Sequence, residues 1–285
     1  MNIRPIRRAA GDVVSVCQNA RPVTTARWAA ALVTHLPECA RRRSLRPADR
    51  GWARAGAQFR TSTGALVSLP PGYTPGAREM YCRNVYLRSG LTMPDRGWVI
   101  DLGANRGLFS VWAALTGAQV IAVEAQQGFA AEIRDLAVHN GVTERIHVEI
   151  AVASGVTTSG TAVGDIADDD LWSATSHGAR LRPADVSVPG LMSAYSIDSI
   201  SLLKMDIEGG EFAVLTAAED LRWLEHVEQL ALEVHPGSGD AASLIERLRR
   251  HGFIIDLRDN DGGQVTASSD SINYAYCRRS RDSAD

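Results

Sequence analysis

The stretch that most narrows the fold is Val99-Ile100-Asp101-Leu102-Gly103-Ala104-Asn105-Arg106-Gly107-Leu108-Phe109. It starts apolar and β-prone, turns through two glycines and becomes helical. That pattern is a strand, a tight loop and a helix start, the front of a βαβ unit. Gly103 and Gly107 leave room where a ligand or a neighbouring backbone must come close. The following helix offers unpaired N–H groups and the positive end of its dipole. Such a loop holds a nucleotide-like cofactor at the carboxyl end of the first strand.

The acids near this loop bear on which cofactor. A dinucleotide loop runs Gly-x-Gly-x-x-Gly and receives a doubly negative pyrophosphate. Here the spacing is Gly-x-x-x-Gly, with Asp101 two positions before the first glycine. A carboxylate there repels pyrophosphate and suits a phosphate-free ligand with positive groups. S-adenosyl-L-methionine carries a sulfonium and an ammonium. Gln119–Glu124 reads as a second buried strand ending in an acid. A carboxylate about 20 residues after the loop is where ribose hydroxyls bind in such folds. Asp101 and Glu124 together favour S-adenosylmethionine over a nicotinamide cofactor. The plainer alternative is that Asp101 caps the helix and Glu124 lies on the surface.

The second informative stretch is Lys204-Met205-Asp206-Ile207-Glu208-Gly209-Gly210-Glu211. Three acids crowd the end of a strand, where open α/β sheets place ligands. The next strand ends in Glu233-Val234-His235-Pro236. Carboxylates and an imidazole at adjacent strand ends can transfer a proton or hold a metal. Asp206, Glu208 and His235 are therefore the candidate catalytic residues, His235 as a base that titrates near neutral pH. The bland reading is that Glu208 and Glu211 favour a helix N-terminus, Lys204 neutralises buried acids and His235 only ends a strand. No ligand set of fixed spacing is visible, so a dedicated metal site is not expected.

The rest of the chain fits around these stretches. Its 285 residues, 45% hydrophobic, suffice for one large domain or two small ones. A net charge of −3 gives no reason to expect nucleic acid. Cys17, Cys39, Cys82 and Cys277 lack metal spacing and read as reduced thiols in a cytoplasmic protein. Arg4, Arg7 and Arg8 precede no apolar run, so neither a signal peptide nor a membrane span is expected.

Residues 1–57 read as a helical extension, a lid or a dimer contact. Thr24 or Thr25 caps a helix carrying Trp28, Leu32, Val33 and Leu36, and Pro37 stops it. Arg41-Arg42-Arg43 reads as solvated surface. A hairpin about Thr63-Gly64 uses Phe59, Leu66, Val67 and Leu69, and Pro70-Pro71-Gly72 ends it. Residues 79–90 read as a helix whose apolar contacts are Met80, Val85, Tyr86 and Leu87, with the aromatics in the core. Helices follow at Leu108–Thr116 with Gly117 as C-cap, at 129–140, 211–221 and 241–251. Strands follow at Ile146–Ala153, 201–206, 227–234, 253–257 and 272–277, the last two joined by a turn at 259–263. Residues 154–190 show little periodicity, and Asp168-Asp169-Asp170 within them reads as solvated. Strands alternating with helices give a mostly parallel α/β sheet with helices on both faces. The final pair puts one antiparallel strand at or near an edge.

Val-Ile-Asp-Leu-Gly-Ala-Asn-Arg-Gly at 99–107, Val-Glu-Ala at 123–125 and Leu-Leu-Lys-Met-Asp-Ile-Glu-Gly-Gly-Glu at 202–211 resemble the FkbM-type methyltransferases. The resemblance covers about residues 58–280, and the Lys-x-Asp-x-Glu-Gly-x-Glu block is its most specific part. It implies a class I methyltransferase (Rossmann-like) fold with seven strands, the last inserted antiparallel. It implies S-adenosyl-L-methionine as cofactor and a small-molecule substrate, often a hydroxyl of a secondary metabolite. Asp101, Gly103, Ala104, Asn105 and Gly107 would line the methionine end, Glu124 and Ala125 the ribose, and Asp206 the transferred methyl. One departure is Gly190-Leu191-Met192, where the family often has Thr-Leu-Asp. The expected activity is methylation of a hydroxyl or carboxylate, with no nucleic-acid or membrane partner and a homodimer as one use of the extension. Three alternatives stay open at this point: a nitrogen acceptor, a regulator that binds S-adenosylmethionine without turnover, and a nicotinamide-dependent oxidoreductase.

Overall fold

A computed structural model describes residues 4–73, 76–155, 184–216, 220–235, 237–269 and 271–279. Asp168-Asp169-Asp170 and Pro236 lie outside the described residues. The chain opens with four helices, α1 (Arg4–Asn19), α2 (Pro22–Thr34), α3 (Leu36–Arg42) and α4 (Arg46–Ala53). Pro22, Pro37 and Pro47 occupy first turns, where a missing N–H costs nothing. Pro37 thus opens α3 and does not stop the helix before it. Neither threonine caps α2, because Arg21 holds the cap position. Thr24 is buried instead, and its Oγ1 accepts a hydrogen bond from the Gln58 amide at 3.0 Å. Of the expected apolar stripe, Trp28 is buried, while Val33 and Leu36 face solvent.

The hairpin forms as expected, with β1 (Ala57–Arg60) antiparallel to β2 (Leu66–Leu69) and Phe59 opposite Val67. The helix expected over 79–90 is reduced to a π-helical turn at Arg78–Cys82. Three ion pairs pin this segment. The Arg78 guanidinium, 4% exposed, bonds Asp12 at 2.5 Å and Asp49 at 3.1 Å, and Arg83 bonds Asp12 at 2.5 Å. Asn84 then turns into the left-handed region, φ 51°, with its amide on the Leu87 carbonyl.

The remaining elements are β3 (Trp98–Leu102), α5 (Leu108–Thr116), β4 (Gln119–Glu124), α6 (Gln127–His139), β5 (Ile146–Ala153), β6 (Ala184–Val186), α7 (Val188–Ala194), β7 (Leu202–Met205), α8 (Glu211–Leu215), β8 (Gln229–Glu233), α9 (Ala241–Arg250), β9 (Phe253–Arg258) and β10 (Tyr274–Arg279). A 3₁₀ turn at Arg222–His226 precedes β8. The sheet order is β6-β5-β4-β3-β7-β8-β10-β9. Every pairing is parallel except those of β10, which runs antiparallel between β8 and β9. The last strand is therefore inserted, and β9 takes the edge. The sheet has eight strands and not seven, because three-residue β6 adds to the far edge beside Ala151–Ala153.

Successive residues of each strand point to opposite faces, so Val99 and Ile100 enter different cores. One core lies under α5 and α6 and takes in Trp28, Trp52, Phe59, Tyr81 and Trp112. The N-terminal helices thus share a core with the first helix of the sheet. Ring contacts connect them: Trp28 to Trp52 at 6.1 Å, Trp52 to Phe59 at 5.0 Å, Phe59 to Tyr81 at 5.3 Å and Tyr81 to Trp112 at 6.3 Å. The order of parallel strands reverses at β3, which has β4 on one side and β7 on the other. A crevice at such a reversal, outside the carboxyl ends, is where open α/β sheets bind ligands. No helix among the described residues is long and apolar enough to cross a membrane.

Candidate active site

The glycine loop after β3 is shaped by its neighbours. Gly103 has φ 74°, and a Cβ there would lie 1.7 Å from the Asp206 carbonyl oxygen. The backbone after β7 is what demands this glycine. Gly107, φ 78°, would bring a Cβ to 3.0 Å from Ile133 on α6. The Gly103 and Ala104 amides both donate to the Val123 carbonyl at 3.0 Å. Asn105 sits in the left-handed region at φ 48°, and its amide donates to Glu124 Oε2 at 2.7 Å. The Gln126 amide donates to Glu124 Oε1 at 2.8 Å. Glu124 is therefore no loose surface acid; it ties the β3 loop to the β4 loop, with half-buried Ala125 between its two donors. Burial raises its pKa, and the two amides offset part of that rise.

Asp101 is 0% exposed and caps no helix. Its Oδ2 accepts from Ser110 Oγ at 2.6 Å, and Oδ1 lies 3.0 Å from Lys204 Nζ. Lys204, the only lysine in the chain, is 3% exposed and also donates to the Gly103 carbonyl at 2.8 Å. Burial lowers the Lys204 pKa, but the charges of Asp101 and Asp206 outweigh it and the net shift is upward. The pair sits beneath the loop and braces it. Asp101 is thus neutralised from below and does not open on the crevice.

Asp206, Glu208 and His235 do come together. His235 Nε2 lies 2.6 Å from Glu208 Oε2 and 3.9 Å from Asp206 Oδ1. Its Nδ1 lies 2.7 Å from Oε1 of Glu211, which is 0% exposed on α8. Burial would lower the imidazole pKa, yet hydrogen bonds to Glu208 and Glu211 push it up to about 10. Held between two carboxylates, the ring favours its protonated form. That direction runs against the expectation of a His235 that titrates near neutrality and takes a hydroxyl proton.

Two further residues belong to this cluster. The Tyr86 hydroxyl reaches Asp206 Oδ2 at 2.6 Å and Glu233 Oε2 at 3.0 Å. It has one proton for two acceptors. Burial and the nearby Asp206 charge push Glu233 up to about 7. The Tyr86 ring also stands 5.1 Å from Lys204 Nζ. Beside the Asp101–Lys204 pair, Asp206, Glu208, Glu211 and Glu233 gather around one further cation among the described residues, His235. The crevice carries a surplus of negative charge and suits a cationic ligand.

The family comparison agrees with this arrangement. The Methyltransferase FkbM domain matches residues 101–255, from the acid of β3 into β9. The AMB antimetabolite synthetase AmbE of Pseudomonas aeruginosa is 30% identical over 64% of this chain, which spans 11% of the synthetase's length. The 31-O-demethyl-FK506 methyltransferase FkbM of Streptomyces tacrolimicus is 28% identical over 62% of this chain and 80% of its own. The solved precorrin-6y C5,15-methyltransferase of Geobacter metallireducens superposes with a TM-score of 0.41 at 12% identity, over 70% of this chain and 88% of that one, a likeness too loose to build on. With a match across more than half its length, on the glycine loop and the acid-rich strand ends described above, the chain belongs to the FkbM methyltransferase family.

Proposed function

We propose that the chain moves a methyl group from S-adenosylmethionine to an oxygen, a hydroxyl or a carboxylate, of a small-molecule secondary metabolite. The observation that carries this is the negative surplus at the ends of β7 and β8, beside a glycine loop. Bound there, the cofactor would present its methyl on a sulfonium. Asp206, partly open to solvent, would face its positive end, Asn105 would line its methionine end and Glu124 would bind its ribose. The chain's main contribution is alignment, which in the best cases supplies about 7–11 kcal/mol. A hydroxyl acceptor must also lose a proton. The Asp206–Tyr86–Glu233 chain offers it a destination that the His235 imidazolium does not. The O-methylation in the name of the Streptomyces relative supports an oxygen acceptor over nitrogen. Buried acids without a task are costly, which weighs against a binding-only regulator. The reading includes a cytoplasmic location and a free small molecule as substrate, with neither nucleic acid nor membrane as partner. In it, the extension covers the acceptor side or joins two copies.

Calorimetry with S-adenosylhomocysteine and with NAD tests the reading. The first should bind and the second should not; NAD binding without S-adenosylhomocysteine would overturn it. Glu124→Ala should weaken S-adenosylhomocysteine by about 1.5–3 kcal/mol, the range for a hydrogen bond to a charged group. Unchanged affinity in the folded variant would place the ribose on another residue.

A further inference from the structure

Asp206, Glu208 and His235 each offer a ligand atom, and these atoms lie within 4.8 Å of one another. Two come from the loop after β7 and one from the end of β8, so the set is built by strand adjacency. Behind it stands Glu211, fully buried, with Oε1 on His235 Nδ1. A carboxylate on one imidazole nitrogen fixes the ring so that the other nitrogen faces forward, the arrangement found behind metal-bound histidines. Here Nε2 faces forward, toward Glu208 and Asp206. A second observation points the same way. The other oxygen of Glu211, Oε2, is buried and has no hydrogen-bond partner. A buried carboxylate oxygen left unmatched calls for an explanation, and an ion nearby is one of the few available. The excess of carboxylates over cations around the set demands the same sign of charge.

We propose that Asp206, Glu208 and His235 bind a divalent cation, which takes the place of the proton on His235 Nε2 and releases it to solvent, while Glu211 holds the other ring nitrogen. One imidazole and two carboxylates, without thiolate, suit Mn²⁺ or Zn²⁺. The cation's task rests on the methyl-transfer reading: as a Lewis acid beside the acceptor it lowers the pKa of a hydroxyl. Its binding does not rest on that reading. Glu208 is half exposed, so the set is reached by solvent.

The test is titration of the purified chain, freed of metal with chelator, with Mn²⁺ followed by electron paramagnetic resonance, and with Zn²⁺ as competitor. The wild type should bind one ion per chain. His235→Ala and Glu208→Gln should each weaken it at least about 10-fold, and Glu211→Gln by about 10–100-fold. Glu208→Gln changes a half-exposed side chain and keeps the test decisive should His235→Ala fail to fold. Absence of saturable binding of either ion, or binding unchanged in Glu208→Gln, overturns the proposal. Parallel titration with S-adenosylhomocysteine separates the two readings. Cofactor binding without metal binding sinks only this one, and metal binding without cofactor binding sinks only the other.

Discussion

Lys204→Met should destabilise the fold by about 3–5 kcal/mol, the cost of breaking a buried ion pair from one side. The variant leaves Asp101, 0% exposed, with Ser110 as its one remaining hydrogen-bond donor among the described residues. It also removes the donor to the Gly103 carbonyl at 2.8 Å, so the glycine loop loosens as well. Methionine keeps the volume of the stem, and packing is therefore a minor part of the loss. Urea denaturation at neutral pH measures the effect, with an unchanged slope showing that the unfolded state is unaltered. The double variant Asp101→Asn/Lys204→Met should recover most of the loss, because no charge is then left buried alone. A single variant within about 0.5 kcal/mol of wild type would show that water reaches the pair.

The second large effect falls on turnover. Asp206→Asn should lower kcat by about 10²–10⁴-fold, the range for a group that handles a proton in the transition state. The side chain accepts from Tyr86 at 2.6 Å and belongs to both the proton chain and the ligand set with His235. Asparagine keeps the shape and an acceptor oxygen but loses the charge. S-adenosylhomocysteine affinity, measured separately, decides the role. Affinity and turnover falling together would assign Asp206 to the cofactor site. Retained turnover would remove it from the chemistry.

The centre of the sheet was legible from local sequence. The boundaries of α5, β4 and β5 follow from apolar periodicity and from Gly117, whose positive φ closes α5 as expected. The inserted last strand followed from the family resemblance and the terminal pair of strands. The segment after residue 78 misled because Met80, Val85 and Leu87 mimic helical spacing. The ion pairs that stop the helix there join Arg78 and Arg83 to Asp12 and Asp49, far away in sequence. The first helix went unread because its start is rich in arginine and only its docking against the π-helical turn gives it an inner face. At the site, the acids after β7 announced themselves by crowding. Tyr86 and Glu233 did not, since the contact between Tyr86 and Asp206 spans 120 residues. The protonation of His235 was equally hidden. It depends on Glu211 arriving from α8, and no spacing rule encodes that approach.

The ladder of rings from Trp28 through Trp52, Phe59 and Tyr81 to Trp112 bears on heredity. It crosses the line at residue 101 where the family match begins. A mutation on one side of that line changes the shape its counterpart must fit on the other. Recombination that exchanged the leading helices between relatives would bring together rings never selected to touch. A chimera that takes residues 1–57 from a relative should therefore lose stability unless the facing rings, Phe59, Tyr81 and Trp112, are exchanged with them.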